Sequence, residues 1–226
     1  MSIHLGGDLY TRQPALDSRL RRILQITCDF AGQPLNQLRV LDLACLEGHY
    51  GIELALHGAE VVGIELREAN LAKARYVKDY LRLDRLTLYQ DDVRNLSLEK
   101  YGQFDLVICS GILYHLDVPD MFHLVRRIFE VCTRLAIIDT LIALRPEVEV
   151  IFENEAYHGM WYTEHDESAD RDTRLRIFGR PSIISAVSGS LPHRWPTTWR
   201  GWDSVPSMNA SIRNTFCRRI DAHTWP

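Results

Sequence analysis

Apolar residues along this chain fall into two alternating rhythms, short solid runs and longer stretches with helical spacing. Residues 15–31 put Leu16, Leu20, Ile23, Leu24, Thr27 and Ala31 on one helical face, with Arg19, Arg21, Arg22 and Gln25 mostly on the other. Arg39–Leu43 is then a compact apolar run, the pattern of a strand buried on both faces of a parallel sheet. A helix of about two turns follows, carrying Ile52, Leu54, Ala55 and Leu56, with Gly58 placed to end it as a left-handed residue. Glu60–Glu65 is a second apolar strand, and Arg67–Leu81 an amphipathic helix with Ala69, Ala72, Tyr76 and Tyr80 in one row. Leu86–Gln90 and Phe104–Ser110 supply a third and a fourth strand. Pro119–Thr133 is a helix with Phe122, Val125, Ile128, Phe129 and Cys132 on its apolar face, and Leu135–Thr140 is a fifth strand. Strict alternation of strands with helices predicts an α/β fold, a doubly wound and mostly parallel sheet with helices on both faces.

In such a sheet ligands gather at the carboxyl ends of the strands, so the residues at those ends carry the chemistry. Asp42 sits at the carboxyl end of the first strand, followed by the small residues Ala44 and Cys45 and then by Gly48. A small-residue turn admits a ligand to the backbone, and the helix after it offers unpaired N–H groups. Glu65, at the tip of the second strand, is placed to accept the hydroxyls of a ribose. A dinucleotide site calls for G-x-G-x-x-G in the turn. Here Asp42 would repel a pyrophosphate and attract the ammonium of an amino-acid ligand. That choice favours S-adenosylmethionine, which has an amino-acid tail and no phosphate, over a nicotinamide cofactor.

With these residues in view, the chain resembles the class I S-adenosylmethionine-dependent methyltransferases, over roughly residues 15–142. Their first motif reads acid, any residue, glycine, any residue, glycine, any residue, glycine. The segment DLACLEG keeps the acid (Asp42) and the last glycine (Gly48), with Ala44 and Leu46 at the first two glycine positions. The resemblance implies a Rossmann-like methyltransferase fold and S-adenosylmethionine as cofactor. It implies adenine contacts from an acid after the third strand and from the next backbone N–H, for which Asp92 and Val93 match best and Asp91 second. An Asp at such a place also serves as a turn or helix N-cap. Ser110, closing the fourth strand, joins the cofactor set.

After that strand comes GILYHLDVP, bringing the Tyr114 phenol and the His115 imidazole to the same edge. An imidazole titrates near neutrality, which makes His115 the candidate general base and Tyr114 the residue that orients the acceptor. A helix cap or a packing residue is the competing role for His115. The same LYH occurs in relatives that modify the wobble uridine of tRNA, so the motif points to the family rather than to one acceptor. A small-molecule acceptor is the leading expectation. A tRNA-modifying relative and a catalytically silent partner protein of the same fold are the alternatives.

The chain has 226 residues, 46% of them hydrophobic and 25% charged, with a net charge of −4. That balance argues against a dedicated nucleic-acid surface. No apolar run approaches membrane-spanning length and the start MSIHLGGDLYTRQP lacks a signal-peptide core, so a cytoplasmic protein with no membrane partner is expected. The five cysteines show no C-x-x-C spacing; Cys28, Cys45, Cys109 and Cys132 fall in apolar patterns and read as buried free thiols. Oligomeric state leaves no signature.

Beyond residue 142 the pattern changes. Residues 1–142 read as the cofactor-binding core and 143–190 as a lid, in which Glu147–Phe152 alternates like a strand. Glu155, Tyr157, His158, Trp161, Tyr162, Glu164 and His165 could roof a site there, but metal-ligand spacing is absent and no metal is expected. Residues 191–226 are an irregular tail. From Pro181 onward the chain holds five of its nine prolines and four of its five tryptophans but no lysine, and a helix could begin over Pro181–Val187. The two strands that usually close such a sheet as a hairpin have no clear counterpart. Either they are missing, or the tail is a disordered or partner-binding extension. A changed reading frame would produce the same break.

Overall fold

The computed structural model describes residues 4–6, 9–10, 18–141, 147–160 and 214–219, with side chains described over 18–141 and 147–160. A short antiparallel pair, β1 (His4–Gly6) and β2 (Leu9–Tyr10), precedes helix α1 (Ser18–Phe30). Then follow β3 (Arg39–Leu43), α2 (His49–Leu56), β4 (Glu60–Glu65), α3 (Glu68–Leu81) and β5 (Leu86–Gln90). A short helix α4 (Leu98–Tyr101), β6 (Phe104–Ser110), α5 (Val118–Val131) and β7 (Cys132–Thr140) complete the alternation. A hairpin of β8 (Val148–Phe152) and β9 (Glu155–Gly159) comes next, and β10 (Asn214–Arg219) comes from the tail.

The main sheet runs β10, β7, β6, β3, β4, β5, with β3 to β7 as its parallel five-stranded centre. This is the Rossmann-like arrangement expected: the chain winds outward from β3 to β5, then returns to the other side of β3. Register is set in the buried strands. Asp42 lies beside Gly63 and Leu43 beside both Ile64 and Cys109, while Gly63 and Glu65 lie beside Leu88 and Gln90. Every residue of β3 after Arg39 is buried, which explains its uninterrupted apolar run. At the opposite end of the strand, the Arg39 side chain donates to Glu60 and to the carbonyls of Tyr101 and Gln103, and lies over the Phe104 ring.

Two compact units divide the chain. The first takes in the chain up to Cys109 together with Arg126–Ile137 and Cys217–Pro226. Its core gathers Ile23 and Ile26 of α1, Val40, Ile52, Leu54, Val61, Leu86, Leu106, Ile108 and Ile137. The second takes in Ser110–Val125 and Ile138–Phe216. There Phe122 of α5 lies against Phe152 and Tyr157 of the hairpin, both with ring centroids at 4.5 Å.

Three expectations need amendment. Helix α5 ends at Val131, and Cys132 opens β7 rather than closing the helix. The Thr133 hydroxyl donates to the Phe104 carbonyl at 3.0 Å and Arg134 Nε to Asp105 Oδ1 at 3.0 Å, so cross-strand bonds claim these residues for the sheet. Cys28 faces solvent on α1, whereas Cys45, Cys109 and Cys132 are buried; Ile26 and Thr27 take the inward positions beside it. The tail does supply a sheet strand, β10, from NTFCRR, a segment without the apolar alternation that would announce it. Trp161, Tyr162, Glu164, His165 and the segment 181–187 lie outside the described residues.

Candidate functional site

The turn leaving β3 takes a left-handed backbone at alternate residues, with φ of 51° at Ala44, 52° at Leu46 and 80° at Gly48. These are the three positions at which the glycine motif has its glycines. The Cys45 N–H donates to the Ile64 carbonyl at 3.0 Å, Gly48 N–H to the Cys45 carbonyl at 2.8 Å, and Leu46 N–H to Glu65 Oε2 at 3.1 Å. A left-handed residue with a side chain costs about 1–2 kcal/mol, so these bonds hold Ala44 and Leu46 where glycine would sit freely. Gly48 is fixed for a second reason: a Cβ there would come within 3.1 Å of Ile52 and 3.2 Å of Ala74.

Asp42 is buried, and its Oδ2 accepts the Gly51 N–H at 2.9 Å. It thereby satisfies a first-turn donor of α2, whose N-cap, Gly48, has no side chain to do so. Burial pushes the carboxyl pKa up to about 7; the Gly51 bond opposes the rise and the neighbouring Glu65 charge adds to it. Cys45 is buried beside both acids, and burial raises its thiol pKa further above the ordinary value. The thiol is buried beside Gly63, and the Cys45 N–H and carbonyl carry bonds of the turn.

Glu65 is also buried, and it joins the turn to the next helix. Its Oε2 accepts from Leu46 N–H, and its Oε1 from Arg67 N–H at 2.9 Å and Asn70 Nδ2 at 3.3 Å. A carboxylate offers about four acceptor positions, so three donors leave Oε2 able to take one more hydroxyl. The expectation that Glu65 takes both ribose hydroxyls requires Asn70 to yield its place.

Past β5 the two aspartates diverge. Asp91 accepts from Asp92 N–H at 2.9 Å, Asn95 Nδ2 at 2.8 Å, Lys100 Nζ at 2.5 Å and the Tyr101 hydroxyl. Partial burial would raise its pKa, but the bonds from Asn95, Lys100, Tyr101 and the Asp92 backbone outweigh it and hold the carboxyl well below its usual range. Asp92 is the N-cap of a 3-10 turn over Val93–Asn95, accepting Arg94 N–H at 2.9 Å. Its carboxylate also pairs with the Arg94 guanidinium, which lowers its pKa. Val93 is buried.

Ser110, Tyr114 and His115 belong to the second unit. The Ser110 hydroxyl donates to Asp139 Oδ2 at 3.1 Å, and the Gly111 N–H to the Asp139 carbonyl at 2.8 Å. Tyr114 and His115 sit in a 3-10 turn with ring centroids 4.3 Å apart. Gly111 has φ of 79°, and a Cβ there would stand 3.3 Å from the Tyr114 hydroxyl. In the hairpin Tyr157 is buried and donates to Glu155 at 3.1 Å, while His158 lies 3.7 Å from Glu149. Among the described residues no group of three His, Cys, Asp or Glu is placed to hold a metal ion.

The structure thus gathers Asp42, Ala44, Cys45, Gly48 and Glu65 around one turn, and ties Asp91 to them through its N–H on the Glu65 carbonyl at 3.2 Å. Sequence reasoning missed Asn70, Lys100, Tyr101 and Asp139. Only Asp139, as the acid in the last residues of its strand, carried a signal that could have raised it.

Residues 40–134 match the family model described as a methyltransferase domain. Over 203 residues the chain is 24% identical to the O-antigen chain terminator bifunctional methyltransferase/kinase WbdD of Escherichia coli, covering 83% of this chain and 27% of that protein. Over 88 residues it is 34% identical to the ubiquinone biosynthesis O-methyltransferase of Acinetobacter baumannii, covering 39% of this chain and 36% of that protein. The chain therefore spans only 27% and 36% of the length of these two curated relatives. Among solved structures, the N-terminal domain of EvdMO1 with SAH bound matches 77% of this chain and 67% of that one, at 22% identity and a TM-score of 0.59. That likeness is one of fold.

Proposed function

Because the chain carries a class I S-adenosylmethionine-dependent methyltransferase domain, we propose that it binds S-adenosylmethionine and transfers its methyl group to a small-molecule acceptor. The observation that carries this reading is the turn of residues 44–48, which adopts the left-handed pattern of a glycine motif and is clamped to Glu65 through Leu46 N–H. The residues fit the ligand. Burial draws the Asp42 carboxyl toward its neutral form while the Gly51 N–H occupies it, so it shapes the turn rather than facing a cation, and Asp92 is paired with Arg94. Glu65 is the one of the three that opposes a pyrophosphate, and its Oε2 retains room for a ribose hydroxyl. Asp42 with the Ala44–Gly48 turn, Cys45 included, would hold the methionine part, Glu65 the ribose, and Asp92 with Val93 the adenine. Ser110 is assigned to the cofactor side as well.

When bound, the sulfonium supplies a methyl group already activated for transfer. The protein's own contribution is alignment of the acceptor and removal of its proton. We assign His115 to take the acceptor proton on its imidazole and Tyr114 to orient the acceptor. Their places in the turn directly after β6 support this. An oxygen acceptor is favoured by the similarity to an O-methyltransferase. The net charge of −4 favours a small molecule over nucleic acid. Among the described residues no helix is long and apolar enough to cross a membrane.

Calorimetry with S-adenosylmethionine tests the site. Removing a hydrogen bond to a charged group costs about 1.5–3 kcal/mol, so Glu65→Ala is expected to weaken binding by roughly ten- to a hundredfold. Unchanged affinity removes the ribose assignment, and binding of NADH in place of S-adenosylmethionine removes the reading. Incubation with methyl-labelled cofactor and a small-molecule extract, with an RNA control, then identifies the acceptor class.

A further inference from the structure

We propose that Asp91 is a positioning residue which sets the adenine specificity of the cofactor site without touching the base. This rests on the reading above, that S-adenosylmethionine binds with its adenine at Asp92 and Val93.

The Asp91 carboxylate accepts four donors, from Asp92, Asn95, Lys100 and Tyr101. Since a carboxylate has about four acceptor positions, the group is saturated and has none left for an adenine amino group. Its donors come from the loop that joins β5 to α4 and from α4 itself. Asp92 and Asn95 flank Val93, while Lys100 and Tyr101 close α4. The Asp91 N–H also donates to the Glu65 carbonyl at 3.2 Å. One residue therefore fixes Asp92 and Val93 relative to the acid assigned to the ribose.

The far end of this network is itself anchored. Tyr101 is buried, meets the Tyr89 ring edge-on at 5.5 Å, and its carbonyl accepts from Arg39 Nη1 and Nη2 at 3.2 Å. A loop pinned at both ends holds two groups at a fixed separation: a donor, the Val93 N–H, and an acceptor, the Asp92 carboxylate. The bonds that this carboxylate accepts come from Arg94, whose half-exposed side chain can yield to a ligand. Adenine offers the complementary pair, an amino donor at C6 and an acceptor at N1. Hypoxanthine inverts both, with a carbonyl at C6 and an N–H at N1. A rigid loop discriminates between them, because the wrong base sets the Val93 N–H against another donor and the Asp92 carboxylate against a carbonyl oxygen. A loosened loop discriminates less.

The test compares SAH with S-inosylhomocysteine by calorimetry on the full chain. Wild type should prefer SAH strongly. In Asp91→Ala the SAH affinity should drop about tenfold, and the ratio of the two affinities should move toward one. Tyr101→Phe, which keeps the ring and removes only the hydroxyl, should shift the ratio the same way by a smaller amount, and it covers the case in which Asp91→Ala does not fold. Loss of SAH affinity at an unchanged ratio in these variants means a structural role only and overturns the inference, as does no change at all. Wild type that binds neither ligand overturns the underlying reading instead.

Discussion

The Gly51 N–H donates to the Asp42 carboxylate at 2.9 Å across the turn that separates them. This bond makes one acid both the end of a buried strand and the cap of the following helix. A Cβ on Gly51 would stand 3.2 Å from that same oxygen. The small residue in the first turn of α2 is therefore what lets the carboxylate reach the backbone.

Asp42 should make stability fall with pH across the slightly acidic range. Burial raises its folded pKa from 3.8 to about 7. Below pH 4 it is protonated whether folded or unfolded. Between about 4 and 7 the folded state keeps the proton that the unfolded state has lost, so unfolding gains as pH rises. Above 7 the loss is complete, of the order of 4 kcal/mol at 1.36 kcal/mol per pKa unit. Asp42→Asn, which still accepts the Gly51 N–H but cannot ionise, should lack this decline. Urea melts of both proteins from pH 4 to 8 check it, and parallel stability profiles would sink the assignment.

Ala44 occupies a left-handed position with φ of 51°. Glycine at such a place escapes the Cβ penalty and gives back part of the gain through the entropy of the unfolded chain. Ala44→Gly should stabilise by up to about 1 kcal/mol, seen as a higher urea midpoint at constant slope. Ala44→Val should move the midpoint the other way, since branching at Cβ aggravates the same strain. A destabilised Ala44→Gly would show that the methyl group packs better than the backbone is strained.

Gly63 of β4 lies beside Asp42 in the sheet, and a Cβ there would come within 2.8 Å of Leu88 Cδ2 and 3.0 Å of Cys45 Sγ. The leucine end can move; Cys45 is held by backbone bonds on both sides. Gly63→Ala should cost about 1–3 kcal/mol, as overpacking does, and weaken S-adenosylmethionine binding by shifting the turn. Adding Cys45→Ala should recover part of both losses, a coupling that a double-mutant cycle measures. Independent, additive effects would disprove the contact.

The sequence disclosed the strands more fully than it disclosed the site. β3, β4 and β6 begin and end where expected because nearly every position in them is buried, whereas β5, exposed at three of its five positions, is marked by Leu86 and Leu88. Gly58 marked the end of α2, and it takes a left-handed φ of 89° just after the cap. The Cys132 boundary was hidden because Thr133 and Arg134 suit a helix until cross-strand partners are known. That Asp42 and Glu65 sit near strand ends was legible. Their bonds to Gly51, Leu46 and Asn70 were not, since a sequence shows which acids reach an edge but not which backbone donors are already there. Asp91 and Asp92 are adjacent and chemically alike. Only partners at positions 94, 95, 100 and 101 separate a loop anchor from an N-cap.

That separation bears on Arg94. Its guanidinium occupies the Asp92 carboxylate through Nε and Nη2, at 3.0 Å and 2.6 Å. An adenine amino group arriving at Asp92 must share or displace this partner. The Arg94 side chain is half exposed, and an exposed ion pair is worth about 0–1 kcal/mol. Displacement therefore costs little, and removing the competitor gains little. Arg94→Met should tighten SAH by no more than about fivefold, the equivalent of that 1 kcal/mol, and S-inosylhomocysteine by less, because a carbonyl gains nothing from a freed carboxylate. Calorimetry on the variant with both ligands measures the difference. Weaker SAH binding would mean that Arg94 holds the ligand itself, and equal gains for both bases would mean that Asp92 does not read the amino group.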